Sequence, residues 1–405
     1  MRPLPLIVMV LFMVWSAGQI KAQISLPVDP VVCYIGEEIA SLRLSPRQRV
    51  SRAAQTANLE VTYVGDIPQD AKNAFDETAG IWGEILTSTV PIQVRVNWDT
   101  LANNVLGSAG PTSIFTQFLP DGSPSEWYPV ALADAIAGRT LNASTQADIN
   151  VTINSRINWN FDFTQNPSPG QFDFVTVMLH ELGHGLGFFG LSNQIGSDSL
   201  ELGANGRLTI FETLLVNGNG QFIAQINPNP SQGLLSATSN NDLFFDCPEI
   251  ETIEGRNPKL HAPSNFEEGA SISHLDENLY PTGSVNALMT PQLAQREVNH
   301  DPGPETLCIM ARLGWEVTPL VTSVREDEAD LFHILPNPTS EKVTVKGFRS
   351  SDKVSWRVYD LQGRVQIEKL GGNSLILSKL PPGIYLVQVS DLTNGITKVE
   401  KVVKL

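Results

Sequence analysis

Cysteine is scarce in this 405-residue chain, with three in all, and histidine and methionine number only six each. Cys33, Cys247 and Cys308 are too few to staple a small fold and show no CxxC spacing for a thiolate metal site. They allow at most one disulfide, taken as Cys247 with Cys308, which leaves Cys33 over. Long apolar runs are also missing. Past the N-terminus no segment could cross a membrane as a helix, and the N-terminal run from Leu4 to Trp15 is shorter than the roughly 20 residues a span needs. Basic charge is short everywhere but at the C-terminal end. Residues 334–405 carry 11 Lys and Arg against 6 Asp and Glu, so the remainder holds 16 against 37. An acidic body of this kind excludes nucleic acid and anionic membrane as its natural partners, and the change of sign marks a separate C-terminal module.

What is present is a chain with 41% apolar residues, enough for more than one core. Arg2, the apolar run and the small residue Ala22 before Gln23 make residues 1–22 a signal peptide for secretion. Residues 23–54 form an N-terminal lead-in or short pro-segment without a strong period. From 55 to 317 the pattern is mixed, as an α+β domain requires. LEVTYVG at 59–65 and VPIQVRVNW at 90–98 read as strands. Between them Ala74, Phe75, Ala79, Ile81, Trp82, Ile85 and Leu86 recur at helical spacing. Residues 101–145 read mostly as loop, apart from a short helix around YPVALADAIAG. ADINVTINS at 147–155 alternates like a half-buried or edge strand, and its place just before the helix makes it the edge expected to pair with an extended peptide. A turn-rich insertion follows at 191–272. PETLCIMARLGW then reads as a closing helix, with Pro304 in its first turn and Gly314 at its stop. Residues 318–333 are a linker, and 334–405 hold six or seven short strands, the density of an immunoglobulin-like sandwich.

The chemistry is concentrated in HELGHGLGFFG, residues 180–190. The preceding residues run at helical period, so His180 and His184, four apart, lie on one face and can share an ion, while Glu181 sits beside them where it could take a proton from water. The long form of this zinc motif places a third histidine where this chain has Gly190. The third ligand must come from elsewhere. His333 falls in the linker, which leaves His261, His274 and His300 in one downstream block.

That block contains SHLDENLYPTGSVNALMTP, in which Met289 follows His274 by fifteen residues. With HELGHGLG upstream it resembles the metzincin zinc metalloproteases in their leishmanolysin-like arrangement, where a long insertion separates the helix from the third histidine. Stretches such as VLGSAGPT, YPVALADAIAG and GPETLCIMARLGW are similar to a family of secreted bacterial proteins regarded as metalloproteases, over roughly 55–316. The resemblance implies a catalytic domain with a twisted mixed sheet, an active-site helix, a Met-turn and a closing helix. It implies zinc as cofactor and protein or peptide as substrate. His180, His184 and His274 would be the ligands, Glu181 the general base, Met289 the turn methionine and Gly187 the turn after the helix. The tyrosine that some metzincins carry two residues past the turn methionine is replaced by Pro291, with Tyr280 as a substitute candidate. Cys33 could cap the zinc in a latent form, although VVCYIG lacks the basic neighbour such a switch uses. Glu201 and Glu212 would be the ligand candidates in the gluzincin arrangement. The rival to a peptidase is a cell-surface adhesin or binding protein whose metal site is structural; a hydrolase acting on a non-peptide bond is another.

The C-terminal landmarks ILPNPTSEKVTV, RVYDLQGRV, LPPGIYLVQV and KVEKVVKL resemble the sorting domain of proteins exported by the bacterial type IX secretion system. This implies export through the periplasm and across the outer membrane, with the type IX machinery as a partner and a secreted or surface location.

Overall fold

The computed structural model describes residues 24–44, 56–143, 145–248, 257–318, 333–346, 354–360, 364–391 and 397–405. The signal peptide at 1–22 and nearly all of the linker lie outside the described residues. The chain divides into two compact units, Met1–Pro319 and Leu320–Leu405.

The first unit is built on a six-stranded mixed sheet. Its strands in chain order are β1 (Val31–Arg43), β2 (Leu59–Val64), β3 (Ile92–Asp99), β4 (Val105–Pro111), β5 (Ile149–Asn154) and β6 (Gln292–Val298), and they lie side by side as β6-β1-β4-β5-β3-β2. The β2, β3 and β5 strands run parallel in unbroken register, β4 is antiparallel to both β5 and β1, and β1 is parallel to β6. Four helices complete the frame: α1 (Gln69–Ile85), α2 (Val130–Ala137), α3 (Phe174–Leu186) and α4 (Gly303–Leu313). α1 buries the stripe expected of it, including Ala74, Phe75, Ala79, Trp82 and Ile85. α3 differs, because all thirteen of its residues are buried. It lies between α1 and the sheet, where its period has no solvent face to report. Asp173 caps its N-terminus through the Thr176 N–H at 2.9 Å. Trp82 Nε1 donates to Leu179 O and Trp315 Nε1 to Leu186 O, which fix both ends of the functional turn.

Three expectations are corrected. The lead-in contains a strand at Ile24–Pro27 and the whole of β1, a full member of the main sheet. The stretch at 101–145 is mostly loop apart from α2, as expected, but it also supplies two strands that were not foreseen, β4 and one at Ser113–Thr116. β5, read as an edge, is an inner strand bonded on one side to β4 and on the other to β3, so it has no free backbone to offer a peptide. Its alternation reflects uneven burial, with Ile149, Val151 and Ile153 fully inside.

The insertion is built from small hairpins, Ser192–Ile195 with Ser199–Leu202 and Leu215–Asn217 with Leu243–Phe245, and short helices. Glu212 closes a capping box with Thr209 and also accepts from Gly203 N, a structural role that takes it out of ligand candidacy. α4 begins and ends as expected, with Gly314 in left-handed geometry at its C-cap. Cys308 on α4 forms the disulfide with Cys247 beside the second hairpin, and Arg312 pairs with Asp246 at 2.8 Å. The second unit has a three-stranded and a four-stranded antiparallel sheet around one core that includes Trp356, Val358, Leu375 and Val387, which makes it a β-sandwich.

The disulfide closes a separation of 61 residues, worth about 4 kcal/mol by the entropy it removes from the unfolded chain. A Cys247→Ala/Cys308→Ala protein should therefore show a lower urea midpoint than the oxidised wild type; equal midpoints would mean that the bridge is not stabilising.

Candidate metal centre

α3 presents His180 and His184 one turn apart, and His274 arrives from the end of the insertion. A short backbone ladder delivers it: His261 N donates to His274 O at 2.8 Å and Ile272 N to His261 O at 2.9 Å. The three imidazoles converge, each offering one ligand atom, all within 4.8 Å of one another. The Nε2 atoms of His180 and His184 are 3.0 Å apart.

The tautomers follow from the backbone. Nδ1 of His180 faces Leu288 O at 2.7 Å, Nδ1 of His184 faces Phe188 O at 2.7 Å, and Nδ1 of His274 faces Ala270 O at 2.9 Å. A carbonyl can only accept, so each Nδ1 carries the proton and each Nε2 turns a lone pair into the common space. Two lone pairs at 3.0 Å repel unless a cation lies between them, and His274 Nε2 has no hydrogen-bond partner at all. Burial pushes the pKa of His180 down to about 4, against the opposing pull of the Leu288 carbonyl, and drives His184 and His274 well below the usual histidine range. Neutral imidazoles are the form in which histidine binds metal. The donor set therefore fits a divalent cation of zinc type, which takes imidazole nitrogen at about 2.0–2.1 Å.

Glu181 completes the group. It is fully buried, and neither carboxylate oxygen has a hydrogen-bond partner. Burial raises its pKa far above the carboxylate range. Such a group is costly unless something at the site compensates its charge.

The glycines of the motif are a steric requirement. A Cβ on Gly183 would stand 2.8 Å from Met289 Sδ, so the methionine lies directly under the turn that joins the two histidines. A Cβ on Gly185 would collide with Ile149 of β5. Gly187 has φ 126°, where a side chain is strained, and its turn lets Phe188 O come back to His184. The Met289 turn, Ala287–Met289, steadies two of the histidines at once: Leu288 O accepts a hydrogen bond from His180 Nδ1–H, and Met289 O accepts from the N–H of Leu275, the residue after His274.

The remaining candidates fall elsewhere. His261 pairs with Glu267 at 3.1 Å, and His300 bonds Asp173, the α3 cap, at 2.6 Å. The Tyr280 hydroxyl accepts from Lys259 N at 3.2 Å. Cys33 is free and buried, outside the set of converging ligand atoms, and burial first of all, then the Glu181 carboxylate, pushes the pKa of its thiol up. Sequence reasoning missed Gly107 on β4, whose Cβ position lies 3.1 Å from Glu181 Oε1. Only the position of VLGSAGP, a strand unusually rich in small residues, could have signalled it.

Two consequences are measurable. His274→Ala should weaken zinc binding by more than the roughly 100-fold that loss of a supporting hydrogen bond costs; a competition titration giving unchanged affinity would remove His274 from the site. Gly185→Ala should destabilise the fold by about 1–3 kcal/mol through overpacking against Ile149, and a neutral result in thermal unfolding would refute the close approach.

Two family models match parts of the chain. One, described as SPBPB7E8-like, covers residues 103–217, which include β4, β5, α3 and the first third of the insertion. No curated protein matches the chain. The other is the secretion system C-terminal sorting domain, over residues 333–404. Among the described residues no helix is long and apolar enough to cross a membrane. The sorting domain marks proteins that type IX secretion exports, and this chain carries one across most of its second unit, which assigns it to the cell surface or the outside.

Proposed function

We propose that the first unit is a zinc-dependent endopeptidase of metzincin type, exported by the type IX route. The observation that carries the reading is the Glu181 carboxylate, buried and without a partner beside three Nε2 lone pairs. A metal site that only braces a fold has no use for a fourth, unbonded acidic group. The Met289 turn under the histidine pair, the insertion before His274 and the closing helix agree with the leishmanolysin-like resemblance.

Zinc held by His180, His184 and His274 would supply Lewis acidity toward a peptide carbonyl and lower the pKa of water in its open position to about 7. Glu181 removes a proton from the attacking water as its oxygen bonds to the carbonyl carbon. The same carboxyl then gives that proton to the amine nitrogen as the C–N bond breaks, so the residue ends as it began. The Nδ1–H bonds to Leu288, Phe188 and Ala270 hold the three rings in position throughout. Pro291 leaves no tyrosine hydroxyl two residues past the turn methionine, so a donor to the oxyanion at that position is lacking.

A second reading has one observation in its favour. All four site residues are completely buried, as in a structural metal site of a surface binding protein. Glu181→Gln separates the two: the peptidase reading expects zinc stoichiometry to be kept and kcat/KM on a peptide library to fall by about 10²- to 10⁴-fold. Proteolysis at the wild-type rate in that variant would end the assignment.

A further inference from the structure

A second group of buried polar side chains lies away from the histidines, where α2 and the turn after it meet the entry to β5. Two carboxylates are enclosed there, Asp134 at 2% exposure and Asp148 at 1%. Asp134 stands on α2 one turn after Val130, so the two share a face. Past the left-handed Gly138 the chain doubles back, and Leu141 N donates to Asp134 Oδ1 at 2.9 Å. The next residue reaches the second acid. Asn142 Nδ2 donates to Asp148 Oδ1 at 2.8 Å, and Gln93 N of β3 donates to Asp148 Oδ2 at 2.8 Å.

A fourth side chain comes from the strand Ser113–Thr116. Ser113 and Phe115 lie on one face of it, and Phe115 packs in one core with Val130, Ala133 and Leu141, so strand alternation turns Ser113 toward α2 and the returning chain. The residue before it is tied to the same segment: Thr112 N donates to Asp148 O at 2.8 Å and Thr112 Oγ1 to Ala147 O at 2.7 Å.

Three oxygens of this group, Asp134 Oδ2, Asn142 Oδ1 and Ser113 Oγ, are buried without a hydrogen-bond partner. The Asn142 amide is oriented by its nitrogen, which faces the Asp148 carboxylate and the carbonyls of Gln146 and Ala147 and leaves the oxygen to point elsewhere. Burial first, and then the charge of Asp148, pushes the pKa of Asp134 up to about 7. Arg139, the cation that acts on Asp134, is exposed and donates to Phe118 O. Paired buried carboxylates and unbonded oxygens both cost free energy until a positive charge joins them.

The donor atoms are all oxygen, which selects a hard cation. Calcium takes six to eight oxygens, mixing carboxylates, amide and backbone carbonyls and water, in a geometry more tolerant than the octahedron magnesium demands. Two carboxylates balance its charge. We propose that Asp134, Asp148, Asn142 and Ser113 form a calcium site that clamps α2 and the turn at 138–142 to the start of β5. Ile149, next to Asp148, packs against Gly185 of α3, so the clamp braces the strand on which the histidine helix rests. Export to the cell surface or the outside brings the chain to where calcium-binding modules work at dissociation constants of about 10⁻⁴–10⁻³ M. The site does not depend on the peptidase reading.

The test uses the full, zinc-loaded chain dialysed free of calcium, calcium chloride as the probe, and the variants Asp134→Asn and Ser113→Ala. Asp134→Asn keeps the side-chain shape and an oxygen for Leu141 N, and Ser113→Ala removes a single hydroxyl. Calorimetric titration of the wild type should give a saturable site in the range of about 10⁻⁴–10⁻³ M, weakened about tenfold or more by Asp134→Asn and several-fold by Ser113→Ala, with equal zinc content in all three. Calcium at about ten times its dissociation constant should raise the wild-type thermal midpoint by about 2–4 °C and slow hydrogen exchange at 138–148. A wild type that shows no binding up to about 10 mM calcium, or binds without added protection at 138–148, overturns the proposal. So does an unchanged affinity in Asp134→Asn, and magnesium binding as tightly as calcium overturns the choice of cation. If Asp134→Asn does not fold, Ser113→Ala and the wild-type exchange pattern decide. Peptide cleavage enters none of these readouts, so their failure leaves the peptidase reading standing.

Discussion

The first unit depends on one arrangement of hydrogen bonds: three imidazole Nδ1–H groups directed onto three backbone carbonyls. Each bond orients one ring and fixes its tautomer, and together they turn three lone pairs toward one point. The carbonyls come from the α3 exit, the Met289 turn and the end of the insertion, so the point of convergence exists only when all three segments are in place. Without a cation, the 3.0 Å approach of two acceptors and the uncompensated Glu181 are liabilities. The three imidazoles so placed could hold a cation.

Close packing sets the rest. Gly183 admits Met289, Gly185 admits Ile149, and Gly107 leaves room for the Glu181 carboxylate. These three glycines let a helix, a turn and two strands approach within distances that a methyl group would forbid. The indoles of Trp82 and Trp315 add buried donors to the helix carbonyls, and the Cys247–Cys308 bridge ties the closing helix to the insertion. Rigidity at the site thus comes from several elements of different sequence origin.

Much of this was legible in the residues. The helical stripe of α1, the caps of α4, the seven-strand C-terminal module and the HELGH pair follow from period, spacing and end signals that act within a few residues. The choice of His274 over His261 and His300 did not follow from spacing. It came from the resemblance around SHLDE and ALMTP, and in the structure His274 joins the pair while the other two are bonded to Glu267 and Asp173. The failures share a cause. β4 is made of residues with poor strand propensity because Gly107 and its neighbours answer to packing, and tertiary context overrides propensity there. β1 was hidden by Gly36 and the acidic pair after it, although VVCYI is a run of strand-forming residues.

Local sequence determined the elements, the paired histidines with their glutamate, and the sorting module, since each is specified by neighbours along the chain. The tertiary structure alone decided that β5 is an inner strand and that Val31–Arg43 joins the main sheet between β4 and β6, and it brought to the pair the His274 that the resemblance had implied. Those outcomes depend on strand order and on contacts across some ninety residues of insertion. Periodicity reports which face of an element is buried; it carries no information about what lies against that face.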